Sequence, residues 1–300
     1  MNKEFKTNLD PVNKTFVEIK TGNYPWWENL KNNKSISIQV RKENTIDVYY
    51  NGGAVLKDLV YNDTENKFKA SIHPKYIPLK DESQYRSLTL SSTGVEFTGK
   101  IDAMEFTQLE DTKIKAVMER VKKHFGTESE KAIQYQFATN DPSIIDTEFQ
   151  VTGLGLRIDL VRLDASVKKI VLIEVKKIHD TRLFAESGED VENIHDQLKK
   201  YHEFAVDYQK SIIDYYIKVL QIKNDLGLNK SNVQEIKDWQ VECKPLLVFG
   251  DCIQSWIDEN ARFIDEKIKE VAYGAYYFGK PEYTLDLLSK TNRNRHVFSV

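Results

Sequence analysis

Two neighbouring stretches decide the fold of this chain: LGLRIDLVRLD at residues 154–164 and KKIVLIEVKKI at residues 168–178. Both are rich in β-branched residues, which favour strands. The second is apolar on both faces from Ile170 to Ile173, a pattern that predicts a central strand. Residues 165–168 supply a short turn between the two stretches. We therefore expect two consecutive strands that can pair with each other.

Each of these strands carries one carboxylate, Asp159 in the first and Glu174 in the second. If the strands pair, the two carboxylates can lie side by side at one edge of the sheet. Successive side chains alternate between the faces of a strand, so Glu174 and Lys176 share a face and Val175 lies opposite. The sequence predicts that two carboxylates and one ammonium group converge on a small volume.

This trio has the chemistry needed to hydrolyse a phosphodiester. Two carboxylates can hold Mg²⁺ and leave positions open for water and a phosphate oxygen. The ion lowers the pKa of its water, and a nearby lysine can orient that water or stabilise developing charge. Structural alternatives remain open at this point. Glu174 and Lys176 can form a salt bridge, and Asp159 can pair with Arg157 or Arg162.

The surrounding pattern predicts a mixed α/β sheet flanked by helices. Apolar residues at helical spacing predict a helix from Glu110 to Phe125 and a second one over residues 128–139. The longest helical pattern covers residues 190–225, followed by a buried strand in CKPLLVFGD and a helix at residues 255–272. Gln197 and Tyr201 lie four residues apart, on one face of the longest helix.

The order of elements, the D…ExK string and the Q-x-x-x-Y pair together resemble the PD-(D/E)XK nuclease superfamily, in particular its RecB-like, defence-associated branch. The resemblance covers residues 110–250, with Ile158 where the pattern nominally has proline. It implies a restriction-endonuclease-like fold in which Asp159 and Glu174 bind Mg²⁺ (or Mn²⁺) and Lys176 is catalytic. Gln197 and Tyr201 are implied to support the site or contact DNA.

Members of this superfamily often carry a further acidic residue on the preceding helix. Glu130 occupies the corresponding place and is the expected third metal ligand, with Glu119 and Glu128 as rivals. Glu148, at the end of the next extended run, is a weaker candidate for the same site.

The function implied by the resemblance is a Mg²⁺-dependent nuclease, endonuclease or exonuclease, with DNA favoured over RNA as the substrate and antiviral defence or DNA processing as its role. Two alternatives stay open. The domain can be a catalytically silent module that binds nucleic acid or a partner, or a subunit that is active only within a larger restriction complex. The expected partners are thus nucleic acid and either a second copy of the chain or a defence complex.

The first hundred residues have the sequence pattern of strands and turns. SISIQVRK, TIDVYY and NKFKASIH predict strands, and Asn51-Gly52-Gly53 predicts a tight turn. We expect a small β-rich module of unspecified role at residues 1–105 and the nuclease-like domain at residues 106–300.

Composition sets limits on the functional class. With 43 basic and 46 acidic residues among 300, the formal net charge is −3, which excludes a strongly basic nucleic-acid coat but not a local basic groove. The two cysteines exclude a disulfide framework, and His195 and His202 have no third ligand in register for zinc. No apolar run of membrane-spanning or signal-peptide length is present, so we expect a soluble, cytoplasmic protein without membrane contact.

Overall fold

The computed structural model describes residues 5, 7–73, 76, 86–91, 94–97, 111–126, 129–151, 154–186, 193–228, 235–279 and 295–297. The chain forms two compact units. The mixed-sheet unit comprises residues 1–5, 128–214 and 234–300, and the antiparallel unit comprises residues 6–127 and 215–233. The predicted domain boundary at residues 105 and 106 lies outside the described residues. Residues 111–126 and 215–228 lie within the predicted range 106–300 but group with the antiparallel unit.

Within the described residues, the antiparallel unit contains a sheet of six strands that pair in chain order. Asn51 and Gly52 have φ values of 45° and 81° in the turn between the second and third strands, as the Asn-Gly pair predicts. The strands are β1 (Ser37–Arg41), β2 (Thr45–Tyr50), β3 (Gly53–Asn62), β4 (Lys67–Ile72), β5 (Arg86–Ser91) and β6 (Gly94–Phe97).

Two helices that the β-rich sequence pattern did not predict precede this sheet. Helix α1 (Lys14–Thr21) begins after Asn13, whose side chain accepts a hydrogen bond from the backbone N–H of Thr15. Helix α2 (Pro25–Asn32) has proline in its first turn, where no N–H donor is needed. It buries Trp26 and Trp27 in the core. Helix α3 (Asp111–Phe125) ends at the predicted residue.

The mixed-sheet unit is an α/β structure. Its described strands are β7 (Ile144–Val151), β8 (Leu156–Asp164), β9 (Lys169–Lys177), β10 (Gln240–Val241), β11 (Leu246–Gly250), β12 (Gly274–Tyr277) and β13 (Arg295–Val297). They lie in the order β13-β12-β11-β9-β8-β7, with β10 beside the start of β9. Strand β9 is antiparallel to β8 and parallel to β11, so it occupies the centre that its apolar sequence predicted.

Helices cover both faces of this sheet. Helix α4 (Glu130–Asn140) packs on one face, where Ile133 and Phe137 join a core that includes Val175 and Val248. Helices α5 (Ile194–Asp207) and α7 (Gln254–Ile268) cover the other face, whose core includes the following residues: Ile194, Leu198, Leu247, Phe249, Ile257 and Ile264.

The longest predicted helix is in fact two helices. Helix α5 ends before Tyr208, whose ψ of 20° lies outside the helical range, and helix α6 (Gln209–Asp225) begins directly after it. The two helices stay joined by backbone hydrogen bonds, since the amide of Tyr208 bonds to the carbonyl of Phe204 and the amide of Ile212 to the carbonyl of Tyr208. No helix in the described part of the chain is long and apolar enough to cross a membrane.

Candidate active site

The β8–β9 hairpin brings the two predicted carboxylates to neighbouring positions. Leu160 on β8 lies opposite Ile173 on β9 in the antiparallel register. Asp159 precedes Leu160 and Glu174 follows Ile173, so the next position of the ladder places these acids on adjacent strands. The turn at residues 165–168 is therefore sufficient to bring together carboxylates that are fifteen positions apart in the sequence.

Strand β9 presents Glu174 and Lys176 to the face covered by helices α5 and α7. Glu174 lies beside Leu247 of β11 and Lys176 beside Phe249, and both of these β11 residues belong to the core on that face. Val175 belongs to the core on the opposite face. The alternation that the sequence predicted is thus present in the structure.

The Glu174 carboxylate accepts three side-chain hydrogen bonds. Oε1 accepts from the ammonium group of Lys176 and, at 2.6 Å, from Nε2 of Gln197. Oε2 accepts from the hydroxyl group of Tyr201 at 2.5 Å. Gln197 and Tyr201 are successive members of one stripe of α5, which explains why their spacing of four residues places both on the same carboxylate.

Helix α5 is held in position by its cap and its apolar stripe. The side chain of Asn193 accepts a hydrogen bond from the amide of Asp196 at 2.9 Å and donates to the Asp196 carboxylate at 3.0 Å. Ile194 and Leu198 are fully buried against the sheet. The stripe that anchors the helix therefore also fixes the orientation of Gln197 and Tyr201.

Asp159 does not form either of the ion pairs considered as structural alternatives. Its Oδ2 accepts a hydrogen bond from the amide of Val175 at 2.9 Å, across the strand pair. Arg157 pairs with Glu148 at 3.5 Å. Arg162 pairs with a different aspartate, Asp164, at 3.2 Å. The expected salt bridge between Lys176 and Glu174, in contrast, is present.

Burial shifts the pKa values of the ionisable groups at this site. Asp159, Glu174 and Lys176 are only 4%, 1% and 0% exposed. Burial and the charge of Glu174 raise the pKa of Asp159 well above its usual value. Burial alone would lower the pKa of Lys176, but Glu174, Glu130 and Asp159 outweigh this effect and raise it. The site therefore keeps Lys176 charged and disfavours a second negative charge.

A cavity of about 260 Å³ opens beside these residues. The acids on its wall are Glu130, Asp159 and Glu174, and its other lining residues are Gly155, Leu156, Arg157, Arg182, Gln197, Lys200 and Tyr201. Both burial and the charge of Glu174 favour a raised pKa at Glu130, against the opposing effect of Lys176. The cavity thus combines carboxylates with cationic side chains.

Arg182 is a charged residue of the cavity that no sequence pattern identified. It lies in a single 3₁₀ turn (Thr181–Leu183) that follows β9. Its guanidinium forms a bidentate contact with Asp180, at 2.5 Å for the shortest distance, and approaches Glu130 to 3.6 Å. No short motif specifies a loop that returns to the start of α4, so only the folded chain identifies this residue.

The other acidic and histidine candidates lie elsewhere. Glu148 on β7 pairs with Lys131 and Arg157 and does not line the cavity. Glu119 is exposed on α3, and Glu128 lies outside the described residues. The ring of His202 hydrogen-bonds to the carbonyl oxygen of Cys243, and His195 lies 3.4 Å from the Asp196 carboxylate.

The donor set of the cavity suits a hard divalent cation such as Mg²⁺, which prefers oxygen ligands. Carboxylates of Asp159 and Glu174 share the cavity wall, and Oε1 of Gln197 is buried there without a hydrogen-bond partner in the described chain. Among the described residues, however, no three histidine, cysteine, aspartate or glutamate side chains are arranged as a metal-binding group. Glu130 as a third ligand stays a prediction.

Comparisons with known proteins do not assign this site to a family. No family model, no curated protein and no solved structure matches the chain.

Proposed function

We propose that the mixed-sheet unit is a Mg²⁺-dependent nuclease with a restriction-endonuclease-like fold. One observation carries the proposal: Asp159 and Glu174 line the same cavity, and the Glu174 carboxylate contacts the fully buried Lys176 as well as Gln197 and Tyr201. Burying this many charges costs free energy unless the environment compensates. A functional requirement explains why such a costly group occupies the centre of the sheet.

Asp159 and Glu174 would hold the cation at the cavity, with Glu130 as the third candidate. A bound Mg²⁺ supplies polarisation of the phosphate and a lowered pKa of its water. Lys176 stays protonated and stabilises negative charge on the attacked phosphate. Gln197 and Tyr201 keep the Glu174 carboxylate in a single orientation through their hydrogen bonds.

Cationic side chains around the same cavity support a phosphate substrate. Arg157, Arg182 and Lys200 line its wall. Arg157 is half exposed and its pairing with Glu148, at 3.5 Å, is long, so its guanidinium is available to a phosphate oxygen. These residues provide the local basic character that a net charge of −3 permits. DNA is the favoured substrate, and a role in antiviral defence is part of this proposal.

The satisfied state of Glu174 favours a second candidate, a catalytically silent module on the same fold. Both carboxylate oxygens already accept internal hydrogen bonds, and Lys176 forms a buried salt bridge with one of them. Such a fully hydrogen-bonded carboxylate is typical of a structural network as well as of a catalytic site. A silent module would bind nucleic acid or a partner without cleaving it.

Cleavage assays with single substitutions test the proposal. The purified chain is incubated with linear DNA, circular DNA and RNA, in Mg²⁺, Mn²⁺ or EDTA. We expect cleavage in Mg²⁺ and none in EDTA. Glu174→Gln and Lys176→Met should each reduce the rate at least about a hundredfold, in line with the loss of one charge-stabilising group. Lys177→Met, on the next residue of the same strand, is the matched control and should cleave as the wild type does.

The outcomes separate the alternatives. Equal cleavage by Lys176→Met and Lys177→Met would show that the site is elsewhere. Binding without cleavage, unaffected by Asp159→Ala, would identify the silent module. Activity that appears only after neighbouring gene products are added would identify a subunit of a larger complex.

A further inference from the structure

An exposed aromatic pair lies close to the candidate active site. The rings of Phe184 and Phe263 stack with centroids 6.1 Å apart and an interplanar angle of 14°. The two residues are 47% and 51% exposed. These two contacting rings therefore present an aromatic surface to solvent.

Lys267 anchors the backbone on both sides of Phe184. The ammonium group of Lys267 donates to the carbonyl oxygens of Leu183 and Ala185, at 3.1 and 2.5 Å. It also lies 5.8 Å from the centre of the Phe263 ring. Leu183 and Ala185 are buried, so the backbone is anchored on both sides of Phe184. A surface fixed in this way loses little conformational freedom when a ligand binds.

The chain links the pair to a residue of the cavity wall. Phe184 comes two residues after Arg182, which lines the cavity and approaches Glu130. Together, Arg182 and Lys267 place positive charge at the cavity wall and at the aromatic pair.

We propose that Phe184 and Phe263 form a stacking platform for the unpaired bases of a single-stranded nucleic acid whose backbone enters the cavity. The inference rests on the proposed nuclease function and specifies its substrate as an unpaired strand or end. Every base offers a flat face to an aromatic ring, whereas the bases of a duplex interior are already stacked. A protein partner is disfavoured, because two side chains provide far less area than a stable protein interface buries.

Binding measurements in EDTA test the platform without cleavage. Fluorescence anisotropy is recorded with labelled oligothymidine, oligouridine and a blunt-ended duplex that has no unpaired bases. Phe184→Ala and Phe263→Ala should each weaken single-strand binding about fivefold or more, and leave duplex binding unchanged. Val167→Ala shortens a similarly exposed apolar side chain on the turn between β8 and β9 and should bind as the wild type does.

Two further variants isolate the aromatic face from general apolarity. Phe184→Leu keeps an apolar side chain but removes the ring, and should bind as weakly as Phe184→Ala. Phe263→Tyr keeps the ring and should retain binding. A 2-aminopurine base in the oligonucleotide should lose fluorescence on binding to the wild type through stacking, and to a smaller extent on binding to Phe184→Leu. Circular dichroism confirms that each variant is folded.

Unchanged single-strand affinity in both alanine variants, or full affinity in Phe184→Leu, overturns the platform. So does a wild-type protein that binds no single strand. These results do not test the proposed nuclease function. That function is tested separately, by the cleavage rates of Lys176→Met and Lys177→Met.

Discussion

The hydroxyl oxygen of Tyr201 lies 2.5 Å from Oε2 of Glu174, so a buried tyrosine on α5 fixes a buried carboxylate on β9. The same hydroxyl oxygen also lies 2.5 Å from the carbonyl oxygen of Arg157 on β8. One side chain thereby joins a helix to two strands of the sheet. Burial and the charge of Glu174 raise the pKa of Tyr201 well above its usual value, which keeps the hydroxyl protonated as a donor.

Tyr201→Phe should lower the free energy of unfolding by about 1–3 kcal/mol, because it removes the one hydroxyl proton that is available to two buried acceptors, the Glu174 carboxylate and the Arg157 carbonyl. Cleavage should fall as well, since Glu174 loses one of the bonds that orient it. Urea denaturation measures the first effect. Tyr208→Phe, at the end of the same helix, is the control and should change stability by less than about 0.5 kcal/mol. Equal effects of the two substitutions would contradict a bridging role.

Lys176→Met should destabilise the protein by about 3–5 kcal/mol, because it leaves the Glu174 carboxylate buried without its cation. Glu174→Gln in the same chain should recover part of this loss. Denaturation of the wild type, both single variants and the double variant gives the coupling free energy. Additive effects would mean that the two side chains do not interact in solution.

Asp159→Asn should stabilise the metal-free protein increasingly as the pH rises. The raised pKa means that the folded chain holds the proton of Asp159 more tightly than the unfolded chain does. The contribution of Asp159 to stability is therefore lost as the pH rises from the pKa of the unfolded chain, about 4, through the higher pKa of the folded chain. Asparagine does not titrate and avoids the loss. Unfolding is measured in EDTA between pH 4 and 8, with the exposed Glu259→Gln as control. A stability difference that does not change with pH would refute this account.

Both thiols should react slowly in the folded protein. Burial raises the pKa of Cys252 to about 12, and burial together with Glu242 raises that of Cys243. The thiolate is the reactive form, so little of it exists at pH 8. Ellman's reagent should label Cys243 first, because it is less buried, and both thiols rapidly in 6 M guanidinium chloride. Fast labelling of Cys252 in the folded chain would contradict the described packing.

Gly250→Ala should destabilise the mixed-sheet unit by about 1–3 kcal/mol through overpacking. A Cβ atom at this position would lie 2.5 Å from Cγ2 and 2.9 Å from Cδ1 of Ile133 on α4. In an Ile133→Ala background the added methyl group has room, so the penalty should largely disappear. Thermal denaturation of the four proteins tests this. An equal penalty in both backgrounds would place the cost in the backbone instead.

The core of the candidate site could be predicted because its determinants are local. A hairpin with a short turn brings Asp159 to Glu174, the alternation of β9 places Lys176 beside Glu174, and one helical turn links Gln197 to Tyr201. Each relationship depends on a period of two or of about four residues. The α/β class and the central strand follow from the same patterns. The metal, the substrate and the family resemblance stay predictions.

Other features depended on contacts distant in sequence and could not be predicted. Arg182 reaches the cavity through its pairing with Asp180 and its approach to Glu130 on another element. The end of α5 at Tyr208 could not be predicted from the apolar pattern, because that pattern continues into α6. The sequence pattern did not predict helices α1 and α2, because the β-branched residues that follow them indicate a β-rich region. Asn13 and Pro25 are nevertheless helix start signals.

The position of β9 has a consequence for how the protein folds. Its antiparallel partner β8 is adjacent in the chain, whereas its parallel partner β11 arrives only after both long helices have been synthesised. Local pairings form faster than those that close long loops. We expect the hairpin to form early, while water still screens its two acids, and the electrostatic cost to arise when α5 and β11 close over them. The slowest kinetic step should therefore be this closure, and neutralising Asp159 should accelerate it.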